Sequence, residues 1–220
     1  MRLNADFTQR VVITPDHYQW VVSPQKGVER MMLDRIGDEK ACATSLVRYA
    51  PKSYFPRHEH PQGEEILVLA GTFSEEGHDF QAGCYLRNPH GTSHQPFTEE
   101  GALIFVKLRQ MPAVAGPVLH TDTRDAQVWQ RAGNAYMCLL YEDDTEQVQM
   151  LQLPAQASLF NTISRHKRVA ELLLIEGTLT LDNQSLPAGS WLRLPATDTA
   201  ALVAGSGGAR LYVKQYVPNL

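Results

Sequence analysis

The chain has 220 residues, 43% hydrophobic and 20% charged, with a formal net charge of -4 and a pI near 6.1. That composition supports a buried core and argues against a nucleic-acid groove or an anionic membrane surface as partner. No apolar run reaches bilayer-spanning length and the start, MRLNADFTQRVVITPDH, lacks a signal-peptide core. Three cysteines without zinc-like or CxxC spacing, Cys42, Cys84 and Cys138, fit a reduced, cytoplasmic chain.

In chain order, residues 1–20 hold room for a short helix, and then strand-length segments take over. EILVLAG (65–71), ALIFVKL (102–108), YMCLLYE (136–142), QVQMLQL (147–153), ELLLIEG (171–177) and RLYVKQYV (210–217) are rich in β-formers or leucine. Gly, Pro, Asn and Asp punctuate them. Residues 121–132 are the only other place for a short helix. The pattern predicts an all-β sandwich or barrel.

A shift of 106 residues superposes landmarks without a gap. Met31 falls on Met137, Leu33 on Leu139, His60 on His166, Gly71 on Gly177, Gly83 on Gly189 and Pro89 on Pro195. Two copies of one β-unit follow, with the break in RQMPAVAGPVL (109–119) and domains expected at 1–112 and 113–220.

The first copy carries the chemistry. His58-x-His60-x3-Glu64-x6-Gly71 is followed by Gly83-x5-Pro89-x-Gly91-x2-His94. Positions 58, 60 and 64 share a parity, so one strand face can present two imidazoles and a carboxylate. His94, after the turn NPHG, supplies a third imidazole. Imidazole suits zinc, iron, nickel and copper, and the carboxylate also admits manganese. Four ligands close a tetrahedral zinc but leave two positions open on an octahedral metal. One divalent transition metal per chain is expected, with zinc, iron, manganese and nickel left open by these residues.

These residues resemble the two motifs that define the cupin superfamily. Two motif positions differ: the opening glycine falls at or beside Lys52 and the closing asparagine at Thr98, and neither is a ligand. With the repeat, the resemblance implies a bicupin, two tandem double-stranded β-helix (jelly-roll) barrels. SPQKGVERMMLDR, RYAPKSYFPRHEHPQGEEILVLAGTFSEEG and GCYLRNPHGTSHQP are similar to the ChrR-type cupin of zinc-binding anti-sigma factors in the oxidative-stress response, and more distantly to acetylacetone dioxygenase-like cupins. The resemblance implies His58, His60, Glu64 and His94 as ligands. It also implies a protein partner in a sigma-factor system, a small-molecule ligand in the N-terminal barrel and a homodimer. The helical His-x3-Cys-x2-Cys module of those anti-sigma factors is not found in this sequence.

In the second copy the four ligand positions become Ser164, His166, Ala170 and Ala200, so that barrel is expected to be structural. Arg57, Tyr54 and Phe55 are candidates for lining a pocket, with Arg57 holding an anionic or carbonyl group. Cys84 is expected to be a buried small hydrophobe rather than an oxidant sensor. His78 and His90 are expected at the surface, and His17 and His120 have no partners in sequence. Glu59, Glu65 and Glu171 have the wrong parity for ligands. Three functions remain: a regulatory or sensory metal-binding module, a metal-dependent (iron) dioxygenase acting on a small diketone- or enol-like substrate, and a barrel that binds a small ligand without turnover.

Overall fold

Short alternating segments separated by turn residues can bury an apolar face only by pairing with one another. In the computed structural model, which describes residues 1–38, 40–114, 116–164 and 167–218, they do so in two compact units. One comprises Met1–Ala5 and Gln19–Arg124, the other Asp6–Tyr18 and Asp125–Leu220. Each is a jelly-roll barrel, as the sequence predicts.

In the first unit the main sheet runs, in spatial order, Arg2–Leu3, Val28–Ile36, Cys42–Tyr49, Ala102–Leu108, Glu64–Glu75, Cys84–Asn88 and Leu119–Asp122. All its pairings are antiparallel. The long Glu64–Glu75 strand serves both walls. Its first half pairs with Ala102–Leu108, and its end pairs with His78–Gln81 and Pro96–Thr98. The bend falls at Gly71, with φ of +68°, where a Cβ would lie 2.0 Å from the Gly101 carbonyl oxygen. Only glycine fits such a position.

The second unit repeats this plan in the order Gln130–Ala132, Ala135–Glu142, Glu146–Leu153, Leu202–Tyr216, Val169–Leu181, Trp191–Leu194 and Val11–Ile13. Gly177, with φ of +80°, takes the place of Gly71, and a Cβ there would lie 2.1 Å from the Gly208 carbonyl oxygen. The 106-residue offset read from sequence is thus a repeat of structure. Gly83 and Gly189, also at that spacing, donate to the Val68 and Leu174 carbonyls at 2.8 and 2.7 Å.

The division of the chain differs from a simple cut at 112/113. Leu119–Asp122, beyond the expected boundary, completes the first sheet against Cys84–Arg87, and the Thr123 amide and hydroxyl both donate to the Gly83 carbonyl. Val11–Ile13, near the N-terminus, completes the second sheet against Trp191–Arg193. Each unit therefore takes an edge strand from the segment that precedes the other repeat. A fragment 1–124 is accordingly expected to resist urea better than a fragment 1–112, which ends before that strand. Equal midpoints in chemical denaturation would contradict the assignment.

The two helices expected from sequence are single 3-10 turns, Pro15–His17 and Ala126–Val128. A four-residue α-helix, Leu159–Thr162, was not expected. Among the described residues, no helix is long and apolar enough to cross a membrane.

The two interiors differ in what fills them. The second barrel is packed with leucine: Leu172, Leu174, Leu179, Leu192, Leu194, Leu202 and Leu211 form one buried cluster, which also holds Ala170 and Ala200. The first barrel has a smaller apolar cluster around Val47, Ile66, Phe73, Ile104 and Val106, and leaves a cavity of about 210 Å³.

Candidate metal centre

His58 lies in the two-residue strand His58–Glu59, directly opposite His94 of Ser93–His94. Past His60 the chain turns through Gln62 and Gly63, both at positive φ, and the Gly63 amide donates to the His60 carbonyl at 3.0 Å. Glu64 then opens the long strand. The shared parity of 58, 60 and 64 is therefore not what aligns them, because a turn separates 60 from 64. The turn folds Glu64 back beside the histidine pair.

The four side chains converge. Potential ligand atoms of His58, His60, Glu64 and His94 all lie within 4.8 Å of one another. Nε2 of His60 and of His94 each lie 3.3 Å from Glu64 Oε2, and Nε2 of His58 lies 3.2 Å from Nε2 of His94. His60, Glu64 and His94 are buried, and His58 is half-buried.

The outer ring nitrogens fix the tautomers. Nδ1 of His58 is 2.9 Å from the Pro56 carbonyl, which can only accept, so this nitrogen carries the proton. Nδ1 of His94 meets the Glu75 carboxylate and donates for the same reason. Nδ1 of His60 is 2.8 Å from the Thr92 hydroxyl. That hydroxyl gives its only proton to the Pro89 carbonyl at 2.8 Å, so it accepts from the imidazole. All three rings thus aim a bare Nε2 lone pair at the same point, which a carboxylate also faces. Among the described residues, His60 Nε2 and Glu64 Oε2 are buried without a hydrogen-bond partner. Lone pairs gathered this way repel unless a cation lies between them, and imidazoles oriented through Nδ1 are the usual support of a metal ligand. The cluster could hold a divalent metal ion.

The electrostatics agree. Burial draws the His60 imidazole down to about 4, aided by the neighbouring imidazoles and opposed by Glu64. Burial alone would raise the Glu64 carboxyl, but the three facing imidazoles outweigh it and hold it below its usual range. Burial likewise favours neutral His58, yet the Glu64 carboxylate 4.0 Å away and the bond to the Pro56 carbonyl raise its pKa above the ordinary value.

Residues 8–112 match the family described as the ChrR Cupin-like domain. The chain has a cupin fold. It superposes on a candidate dioxygenase from Nostoc punctiforme with a TM-score of 0.76 at 15% identity, covering 96% of this chain and 84% of that one. It is similar to a bacterial pirin from Escherichia coli in complex with nickel(II), with a TM-score of 0.71 at 10% identity, covering 96% and 100%. A cupin 2 conserved barrel domain protein from Leptotrichia buccalis gives 0.61 at 13% identity, covering 90% and 92%. No curated protein matches the chain by sequence.

Around the cluster the cupin places Arg30, Arg35, Tyr49, Phe55, Phe73 and Arg109 on the cavity lining. Phe55 is where the sequence suggested it, with its ring edge-on to His58 at 5.3 Å between centres. Arg57 and Tyr54 are not. Arg57 points to solvent and pairs with Glu76 at 2.6 Å, and Tyr54 is exposed. Cys84 is buried in the apolar cluster, and burial raises its thiol pKa, so the reactive thiolate is disfavoured. His78 is exposed as expected, while His90 is half-buried and accepts from the Gln62 amide at 3.0 Å. His120 is exposed and rests edge-on against Phe80. Of the second-repeat equivalents, Ser164 is exposed, Ala170 and Ala200 are part of the leucine core, and His166 lies outside the described residues.

Sequence reasoning missed Thr92, Glu75, Arg30 and Arg35. Thr92 had a signal, a hydroxyl two residues before a ligand histidine. Glu75 had none, because the bend at Gly71 is what carries the strand's far end back to His94.

Proposed function

We propose that this cupin holds one divalent transition metal through His58, His60, Glu64 and His94 and acts on a small molecule in the adjoining cavity, as a metal-dependent dioxygenase. The observation that carries this reading is the cavity itself. A structural metal site is closed, whereas a working one keeps a face open to a ligand. Here the ligand atoms face about 210 Å³ of space lined by Tyr49, Phe55 and arginines. That openness favours a six-coordinate iron, manganese or nickel over tetrahedral zinc. A metal there supplies Lewis-acid polarisation of a coordinated oxygen.

The chain's own residues do the rest. Thr92, Glu75 and the Pro56 carbonyl hold the three rings in register. Burial keeps Tyr49 protonated well above neutrality, so its hydroxyl is a fixed hydrogen-bond donor on the lining. Phe55, Phe73 and Ile104 exclude water from the inner wall. The fold likeness to a candidate dioxygenase and to a nickel-bound pirin supports the reading. The test is elemental analysis of protein purified without added metal, followed by oxygen uptake with small diketones. Stoichiometric zinc with no oxygen consumption would sink the dioxygenase reading.

The match of 8–112 to the ChrR Cupin-like domain favours a second reading, a sensory module whose partner contacts change when the metal site is loaded. On that reading a sigma-system partner is released or bound with metal occupancy, with no turnover.

Either way, loading is expected to displace protons in a defined order. His58, with its raised pKa, is the first of the titrating ligands treated above to be protonated as pH falls. His60 stays neutral down to about 4. Below the His58 pKa, apparent metal affinity is therefore expected to fall by at least about tenfold per pH unit. Competition with a chelator across pH measures this. A flat affinity through the acid range would show that the imidazoles are not ligands.

A further inference from the structure

The Val28–Ile36 strand has a bulge between Met32 and Asp34. Before it Arg30 stands opposite Val47, and after it Arg35 stands opposite Ala43, two partners of the same parity on Cys42–Tyr49. In an unbroken strand residues five apart face opposite sides of the sheet. The extra residue brings Arg35 round to the side of Arg30, and both line the cavity that holds the histidine cluster.

Neither cation makes an ion pair with a carboxylate among the described residues. The Arg30 guanidinium carbon lies 5.7 Å from the centre of the Phe55 ring. Arg35 donates to the Asp38 carbonyl, and the Asp38 carboxylate, which also feels the Arg35 charge, is paired with the N-terminal ammonium at 2.5 Å. Arg109 joins them on the lining. Facing these three arginines are two carboxylates, Glu64 within the cluster and Glu59 exposed. Burial and the charge of Arg35 both work against the Arg30 cation. Three half-buried like charges on one wall repel one another at a cost that a bound anion would reduce. Phe55 touches both Arg30 and His58, so a molecule reaching from guanidinium to cluster need span only one ring. The volume, about 210 Å³, is below that of drug-sized pockets and suits a carboxylic acid of a few carbons.

The geometry points to a small organic carboxylate as the molecule this cavity takes, its carboxylate accepting from Arg30 and Arg35 and a second oxygen turned to His58, His60, Glu64 and His94. The second contact rests on the metal reading above, whereas the first does not. Arg30 and Arg35, not Arg57, are then the anion-holding arginines.

The test is calorimetric titration of the full chain, after its metal content has been measured, with malonate, inorganic phosphate and acetylacetone as probes. Malonate is expected to bind best. Arg30→Gln and Arg35→Gln should each weaken it by about tenfold or more with metal content unchanged, and Arg30→Lys should recover part of the loss. The proposal is overturned if malonate does not bind the wild type, if both glutamine variants bind it as tightly as wild type, or if phosphate or acetylacetone binds better. Should Arg30→Gln fail to fold by circular dichroism, Arg35→Gln and the wild-type ranking of probes decide. Protein that retains no metal but still binds malonate through Arg30 would defeat the metal reading and leave this one standing. Metal-loaded protein indifferent to malonate would do the reverse.

Discussion

Replacing His60 with alanine is expected to abolish metal retention. His60 is held on both sides of its ring. It is 4% exposed, and its Nδ1 is committed to Thr92, whose own proton is committed to Pro89. The remaining Nε2 lies 3.3 Å from Glu64 and has no hydrogen-bond partner among the described residues. Removing the ring takes away one ligand and also the group that keeps Glu64 turned inward. Metal content after dialysis should fall from about one equivalent to trace, because losing one donor of four forfeits several kcal/mol of binding. Loss of a supporting partner is milder. Thr92→Val leaves all four ligands but frees the His60 ring, and should weaken binding by about ten- to a hundredfold. Ser164→Ala and His166→Ala, at the equivalent positions of the second repeat, should leave metal content unchanged. Full retention of metal by His60→Ala would refute the site.

Much of this arrangement is legible in the sequence because it depends on local pattern. The strands EILVLAG and ALIFVKL announce themselves by composition, and Gly71 by its spacing from the ligand motif. Its repeat at Gly177 shows that the bend belongs to the barrel and not to the histidine cluster. The convergence of His58, His60, Glu64 and His94 was readable from their spacing, although parity was the wrong reason for Glu64. What sequence could not show is geometry made by irregularity or by distance along the chain. A bulge has no residue signature in VERMMLDRI, and without one Arg30 and Arg35 would face opposite sides of the sheet. Arg57, next to the ligands, looked like the anion holder but spends its charge on Glu76. Leu119–Asp122 lies beyond a segment that composition marks as a linker, yet it completes the first sheet.

Parity also set aside Glu65 and Glu171 as metal ligands, and the structure shows what they do instead. Glu65 stands opposite Arg87 and Lys107 on the two flanking strands, and Glu171 stands opposite Arg193 and Lys214. All six are buried. The repeat thus retains a charged row in both sheets while only one retains the ligands, which separates the requirements of the barrel from those of the site.

In the second sheet this row extends to Glu146, whose carboxylate lies 2.6 Å from Lys214 Nζ, with side chains 5% and 1% exposed. Glu146→Ala is expected to destabilise the second unit by about 3 kcal/mol or more, since removing one member of a buried pair leaves a desolvated charge under-compensated. Glu171, opposite Lys214 in the sheet, limits the loss but cannot cancel it. Replacing both partners with apolar residues of similar size, Glu146→Leu with Lys214→Met, should recover much of the stability, because the charges then no longer need each other. Urea denaturation of the single and double variants measures both effects. A single variant within about 0.5 kcal/mol of wild type would show that Glu146 is dispensable and that the rest of the row carries Lys214. Metal content should stay the same in every variant, because Glu146 and Lys214 belong to the unit without the cluster. Stability lost from the second unit with the first unit's metal content unchanged would show that the charged row supports the barrel independently of the cluster of His58, His60, Glu64 and His94.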